Sequence, residues 1–141
     1  MTSYSGTTLA KKLGLRENFK IRLINVPLYY PELFTDWPEH VGVIENAEVK
    51  KDLIHLFISN EIELFEFLPA LKEEIEENGM IWVSWPKKAS KIRSDVNENM
   101  IRKVALEMGL VDVKVCSVDE VWSGLKLVIP LKSRKQVNPH K

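Results

Sequence analysis

Apolar residues recur along the chain in short runs separated by turn-forming residues, a pattern typical of alternating strands and helices. Two of these runs, at residues 53–59 and 80–85, are continuous and do not alternate with polar residues, as expected of parallel strands covered on both faces. In the first 90 residues, the pattern predicts four strands, over residues 19–26, 41–44, 53–59 and 80–85.

The last part of the chain predicts two paired strands. Residues 111–116 alternate between valines and other residues, which is typical of a strand near a sheet edge with one wetter face. Residues 122–129 predict a final strand, and its short connection to the previous one requires antiparallel pairing.

Helical spacing of apolar residues predicts three helices. Pro69 cannot donate a backbone hydrogen bond, so we expect a kink or two helices around it, and Asn78 with Gly79 predicts the end of that segment. Asp95, with a glutamate three residues later, predicts the start of the third helix. The three segments are residues 9–13, 61–77 and 95–108.

These elements predict an α/β fold of one domain. We expect a three-layer sandwich with a mostly parallel, Rossmann-like sheet and one antiparallel strand at the C-terminal end. The domain should span residues 1–130, because residues 131–141 are basic and without pattern and are predicted to be a disordered tail.

Composition and charge exclude several classes of function. The 141 residues carry 20 Lys plus Arg against 20 Asp plus Glu, so the net charge counts against nucleic acid as a partner. One cysteine excludes an internal disulfide, and the histidines at 40, 55 and 140 do not have the spacing of a metal site. No apolar run approaches ~18 residues and no signal peptide begins the chain, so we expect a soluble cytoplasmic protein without a membrane partner.

Ligands of parallel sheets bind at the carboxyl ends of the strands, and the strand over residues 80–85 ends in the best candidate site. Trp85 offers an aromatic face there, Lys87 and Lys88 offer ammonium groups for phosphate or carboxylate, and Ser84 offers a hydroxyl. The alternative interpretation is a solvated basic loop with Trp85 packed in the core.

A second candidate lies at the start of the first helix. Ser5, Gly6 and Thr7 could present backbone N–H groups to an anion, with Lys11 and Lys12 nearby, although ordinary helix capping also explains this segment.

The last turn offers further polar groups. The side chains around it that could contribute to a site are those of Asp119, Glu120, Trp122, Ser123 and Lys126, whereas an ordinary hairpin turn with a packed tryptophan explains this segment as well. His55 lies in the most apolar strand and is predicted to be a hydrogen-bonded core histidine. The sequence indicates no histidine partner that would activate Cys116 as a nucleophile.

Several motifs of this chain resemble those of a small bacterial family of unknown function. This resemblance implies no particular activity. The matching blocks span nearly the whole chain: YSGT at 4–7, LAKKLG at 9–14, WVSWPKKAS at 82–90, VDVKVC at 111–116, VDE at 118–120 and WSGLKLV at 122–128.

More distantly, residues 52–84 and the final antiparallel strand resemble class I S-adenosylmethionine-dependent methyltransferases. Those enzymes place a glycine-rich turn after the first strand and an acidic residue after the second. Here residues 25–30 contain no glycine, and Pro27 is rigid, so side chains should block a close approach of the backbone to that cofactor. Glu45 follows the second strand, but a single acidic residue is a weak signal.

We therefore expect a non-catalytic module that binds an anionic small molecule or a protein partner at the carboxyl edge of the sheet, and we expect no cofactor. The predicted ligand-binding residues are Ser5, Gly6, Thr7, Ser84, Trp85, Lys87, Lys88 and Trp122. A diverged methyltransferase and a nucleic-acid-binding protein are the alternatives.

Overall fold

The computed structural model describes residues 6–134, which contain one six-stranded sheet. Its strands are β1 (Lys20–Ile24), β2 (Gly42–Val43), β3 (Lys51–Phe57), β4 (Ile75–Pro86), β5 (Val111–Ser117) and β6 (Trp122–Val128). The helices are α1 (Leu9–Leu13), α2 (Glu61–Lys72) and α3 (Glu98–Glu107), with short 3₁₀ helices at Tyr30–Leu33 and Leu131–Ser133.

The sheet has the order β2-β1-β3-β4-β6-β5, in which the first four strands are parallel. β6 runs antiparallel to both of its neighbours, β4 and β5. Helices α2 and α3 pack on one face, whereas α1 and the first 3₁₀ helix pack on the other, each over its own apolar cluster. The predicted three-layer α/β sandwich with a single antiparallel strand is confirmed.

The prediction of a long helix ending at Asn78 and Gly79 is wrong. Helix α2 is one helix that continues through Pro69 and ends at Lys72, and β4 begins at Ile75. Strand pairing moves from Lys51 and Ile75 to Leu53 and Met80, so the Asn-Gly pair lies in an irregularity of β4. A turn-forming dipeptide marks a bulge here, where the backbone passes too close to β3 for a side chain.

A buried charge cluster, consisting of Arg22, Lys51 and Glu74, explains why β4 begins so early. Lys51 is fully buried, and its Nζ lies 2.9 Å from Oε1 of Glu74. Arg22 Nη1 lies 2.8 Å from both carboxylate oxygens of Glu74. The pairing of these charges holds the residue before β4 against β3, since unpaired buried charges would be costly.

Two other predictions need correction. Asp95 does not begin the third helix: Asn97 caps α3, and its Oδ1 accepts a hydrogen bond of 2.9 Å from the Met100 N–H. Asp95 instead accepts a hydrogen bond of 2.8 Å from the N–H of Glu61, the first residue of α2, and so links the starts of two helices. β5 is an edge strand as predicted, but its wetter side is the valine side, since Val113 and Val115 are 51% and 45% exposed.

No helix among residues 6–134 is both long and apolar enough to cross a membrane.

Candidate functional site

Two cavities lie near the carboxyl edge of the sheet, and the predicted site residues divide between them. Gly6 and Thr7 line the first cavity, whose volume is about 640 Å³. Trp85, Lys87 and Lys88 line the second cavity, of about 560 Å³. Ser5 lies outside the described residues. The structure therefore does not bring the two predicted groups together in one cavity.

The first cavity lies between the start of α1, the segment after β1 and the turn between β5 and β6. Its walls are partly apolar and partly polar. The apolar side chains are those of Leu9, Leu33, Val118 and Val121, and the polar ones are those of Thr7, Thr8, Lys12, Tyr29, Thr35, Asp119 and Glu120.

A hydrogen bond between Tyr29 and Asp119 joins two walls of the first cavity. The Tyr29 hydroxyl donates to Oδ2 of Asp119 at 2.8 Å. Oδ1 of the same carboxylate accepts from the N–H groups of Val121 and Trp122 at 2.8 and 2.7 Å. Burial, and then the contact with Asp119, raise the pKa of Tyr29 to about 12. The Asp119 carboxylate thus has three donors and fixes both the turn and the segment after β1.

Lysines gather beside this turn. Lys12 Nζ donates to the carbonyl oxygen of Ser117 at 3.4 Å, and Lys87 Nζ donates to the hydroxyl of Ser117 at 2.7 Å. Burial raises the pKa of the neighbouring Cys116 thiol, while the positive charges of Lys12, Lys114 and Lys87 oppose that rise. Although Lys87 lines the second cavity, its ammonium group therefore contacts Ser117, the residue before Val118 in the wall of the first cavity.

Ser84 is fully buried and is part of a chain of polar side chains inside the core. His55 Nε2 lies 2.8 Å from the Ser84 hydroxyl, and His55 Nδ1 lies 2.8 Å from the Tyr30 hydroxyl. Burial lowers the pKa of His55 to about 3, so the ring is neutral. His55 is the hydrogen-bonded core histidine that the sequence predicts. The assignment of Ser84 to a ligand site is not supported by this geometry, because its hydroxyl is already bonded and faces no solvent.

The two tryptophans of the predicted site are largely packing residues. Trp85 is 8% exposed and belongs to the apolar cluster under α2 and α3, although its edge reaches the second cavity. Trp122 is partly buried, with its ring centroid 5.0 Å from that of Phe57. Lys88 is exposed at the second cavity.

The turn after β1 is closed by its own side chains. Asn25 adopts a left-handed conformation with φ of 59°, and its amide donates to the carbonyl oxygen of Phe57 at 3.4 Å. Pro27 has no N–H, and its carbonyl oxygen accepts a hydrogen bond of 2.9 Å from the N–H of Tyr30. At the end of β2, Glu45 is exposed and lies 3.7 Å from Arg22 Nε.

Comparison with known proteins places the chain in a family. The sequence model of the family described as "Protein of unknown function (DUF3052)" matches residues 41–131. The chain belongs to this family. This result confirms the resemblance to a family of unknown function that the sequence motifs indicate. No curated protein matches the sequence.

Solved structures share the fold of this family member. A SAM-dependent methyltransferase from Aquifex aeolicus is 14% identical, with a TM-score of 0.58, and the match covers 86% of this chain and 88% of that one. The ribosomal protein L11 methylase from Lactobacillus delbrueckii subsp. bulgaricus is 13% identical with a TM-score of 0.55, over 91% and 76% of the two chains. A TehB-like SAM-dependent methyltransferase from Corynebacterium glutamicum is 14% identical with a TM-score of 0.52, over 90% of both chains.

At these identities the similarity shows the fold alone, and that fold is the Rossmann-like sheet of class I methyltransferases, as the sequence predicts. Sequence reasoning placed residues 25–30, and with them Tyr29, among the candidates at the carboxyl ends of the strands, but it missed Leu33 and Thr35 as cavity residues. Nothing in the local spacing of Leu33 and Thr35 indicates that they meet α1 and the last turn.

Proposed function

We propose that this protein binds a small organic anion, without catalysis, in the first cavity at the carboxyl edge of its sheet. The observation that carries the proposal is the combination of an apolar wall with two lysine ammonium groups that both donate to Ser117, the residue before Val118 in that wall. Such convergence of a few polar groups on a mostly apolar cavity is typical of small-molecule sites.

The apolar wall suits a ligand with a hydrocarbon body. Leu9, Leu33, Val118 and Val121 come from three separate segments of the chain and face the same space. The volume of about 640 Å³ lies within the range of roughly 300–1,000 Å³ found for ligand pockets. A molecule with an aromatic or aliphatic part would remove this surface from water, at about 25 cal/mol for each Å² buried.

The lysines suit an acidic group on that ligand. Lys12 lines the cavity, and Lys87 reaches the same residue, Ser117, from the end of β4. Neither ammonium forms an ion pair within 4.0 Å among residues 6–134, since both bond only to neutral oxygen atoms. A carboxylate or phosphate bound beside Ser117 would replace these neutral contacts with charge-assisted hydrogen bonds.

Binding without catalysis is supported by the state of two titratable groups of the cavity, Asp119 and Tyr29. The Asp119 carboxylate is occupied by three donors, which leaves it unsuited to take a proton from a ligand. Tyr29, with a pKa of about 12, stays protonated near neutral pH.

The experiment measures binding of 3-phenylpropionate by isothermal calorimetry at low salt. We expect saturable binding that weakens by about fivefold to tenfold in Lys12→Ala and in Lys87→Ala, because each removes one charge-assisted contact. Lys91→Ala, at an exposed lysine outside both cavities, is the matched control and should bind as the wild type does.

Lys88→Ala distinguishes the two cavities, since Lys88 lines only the second of them. A loss of affinity in Lys88→Ala alone would move the site there and overturn the assignment to the first cavity. No heat of binding at millimolar 3-phenylpropionate, or equal affinity in all the lysine variants, would refute the proposal.

A diverged S-adenosylmethionine-dependent methyltransferase is the alternative, and the fold of the solved structures favours it. The residues after β1 do not fit that cofactor: Asn25 and Pro27 stand where the backbone would have to approach it, and Glu45 lies beside Arg22. Calorimetry with S-adenosylmethionine decides the matter. Saturable micromolar binding would establish the alternative, whereas no heat at millimolar cofactor would exclude it.

A further inference from the structure

We infer that the ligand of the first cavity is a zwitterion, namely an α-amino acid with an apolar side chain, whose carboxylate is held at Lys12 and whose ammonium is held at Glu120. This inference rests on the proposed binding function, and it specifies the organic acid of that proposal as one whose carboxylate is accompanied by an ammonium group. It follows from the placement of opposite charges on two walls of one cavity.

The two charges lie on different elements and do not neutralise each other. Lys12 comes from α1, and Glu120 comes from the turn between β5 and β6. In the part of the chain that the structure describes, no ion pair within 4.0 Å joins them, and Glu120 makes no hydrogen bond or ion pair at all. A ligand with both charges could satisfy both side chains at once.

Glu120, and not Asp119, is the free acidic group of the cavity. The Asp119 carboxylate already accepts from the Tyr29 hydroxyl and from two backbone N–H groups. These bonds hold the turn, so they fix the position of the backbone from which the Glu120 side chain extends. Glu120 itself is exposed and can accept hydrogen bonds from an incoming ammonium group.

Lys12 is held close to the same turn. Its Nζ donates to the carbonyl oxygen of Ser117, which stands at the end of β5, and the Ser117 hydroxyl in turn donates to the carbonyl oxygen of Asp119 at 3.1 Å. Lys12 and Glu120 therefore both line the cavity beside this turn, together with the apolar side chains of Leu9 and Leu33. An α-amino acid with an apolar side chain carries the complementary groups: a carboxylate, an ammonium group and a hydrocarbon body.

The experiment compares L-phenylalanine with 3-phenylpropionate, which has the same carbon skeleton and carboxylate but lacks the ammonium group. Calorimetry on the full chain should show that the wild type prefers L-phenylalanine by about tenfold, as expected of one added charge-assisted contact. Glu120→Gln should abolish this preference and leave the affinity for 3-phenylpropionate within about twofold of the wild-type value. Glu107→Gln, at an exposed glutamate of α3, is the matched control and should keep the preference.

Each outcome distinguishes the two proposals. If neither compound binds, the proposed function fails and the inference fails with it. If 3-phenylpropionate binds as tightly as L-phenylalanine, the proposed function stands and the zwitterion inference is overturned. A preference for L-phenylalanine that persists in Glu120→Gln would remove Glu120 from the site and overturn the inference as well.

Discussion

Protonation of His55 should make the protein unstable in acid. The ring is fully buried between the hydroxyls of Tyr30 and Ser84, and burial lowers its pKa from 6.5 to about 3. In the unfolded chain the imidazole is in water and takes up a proton near pH 6.5. The unfolded state therefore binds more protons than the folded state between these two values, and stability falls as the pH falls from 6.5 towards 3.

The magnitude follows from the shift. At about 1.36 kcal/mol for each pH unit between the two pKa values, the loss attributable to His55 is about 4 kcal/mol at pH 3 and approaches about 5 kcal/mol below that pH. Between pH 7 and pH 4.5 the loss attributable to His55 is about 2.5 kcal/mol. A change of that size is a large part of the free energy of unfolding of an ordinary domain, which is about 5–15 kcal/mol.

The assay is urea unfolding of the wild type, His55→Gln and His40→Gln at pH 7 and pH 4.5. His40 is exposed, so its variant should lose as much stability in acid as the wild type, whereas His55→Gln should lose about 2.5 kcal/mol less. Equal losses in all three proteins would refute the reasoning. If His55→Gln does not fold, the ring carbon shifts of His55 in the wild type give the same answer, and a titration midpoint above pH 5 would contradict the buried neutral state.

Three further predictions concern stability, each measured by urea unfolding at pH 7. Glu74→Gln should destabilise the protein by about 3–5 kcal/mol, because it leaves the fully buried Lys51 without a counter-charge and leaves Arg22 only the exposed Glu45, whereas Glu73→Gln at the exposed neighbour should change little. Asn97→Ala should cost about 1 kcal/mol by removing the cap of α3, and no loss would show that the cap is not needed. Gly79→Ala should cost about 1–3 kcal/mol, since its Cβ would stand 2.9 Å from the Lys51 carbonyl oxygen, and an unchanged midpoint would contradict that close approach.

The two central strands were predictable because a strand that is buried on both faces consists almost entirely of apolar residues. Residues 53–59 and 80–85 are continuous apolar runs, and both become central strands. The start of β4 was not predictable by the same means. It depends on the contact between Lys51 and Glu74, 23 residues apart, and the polar segment with Asn78 and Gly79 has the local signature of a helix end.

The candidate site was predictable only in part, for a similar reason. Gly6, Thr7, Asp119 and Glu120 stand out as chemistry-bearing residues near the ends of predicted elements, and all four line the first cavity. The bond that assembles this cavity joins residues 90 positions apart in the sequence, and no local spacing reveals it. Ser84 has the position of a site residue, at a strand end, yet its hydroxyl points into the core, where His55 binds it.

The segment after β1 helps to determine where the first cavity lies in this sheet. The Tyr30 hydroxyl is hydrogen-bonded to His55 of β3, and the Tyr29 hydroxyl is hydrogen-bonded to Asp119 in the turn between β5 and β6. With these two adjacent tyrosines held, the segment after β1 forms one wall of the first cavity, opposite α1 and the last turn. A ligand of this fold would then meet the turn between β5 and β6, and Tyr29→Phe, which removes the hydrogen bond to Asp119, should weaken its binding without altering any charge in the cavity.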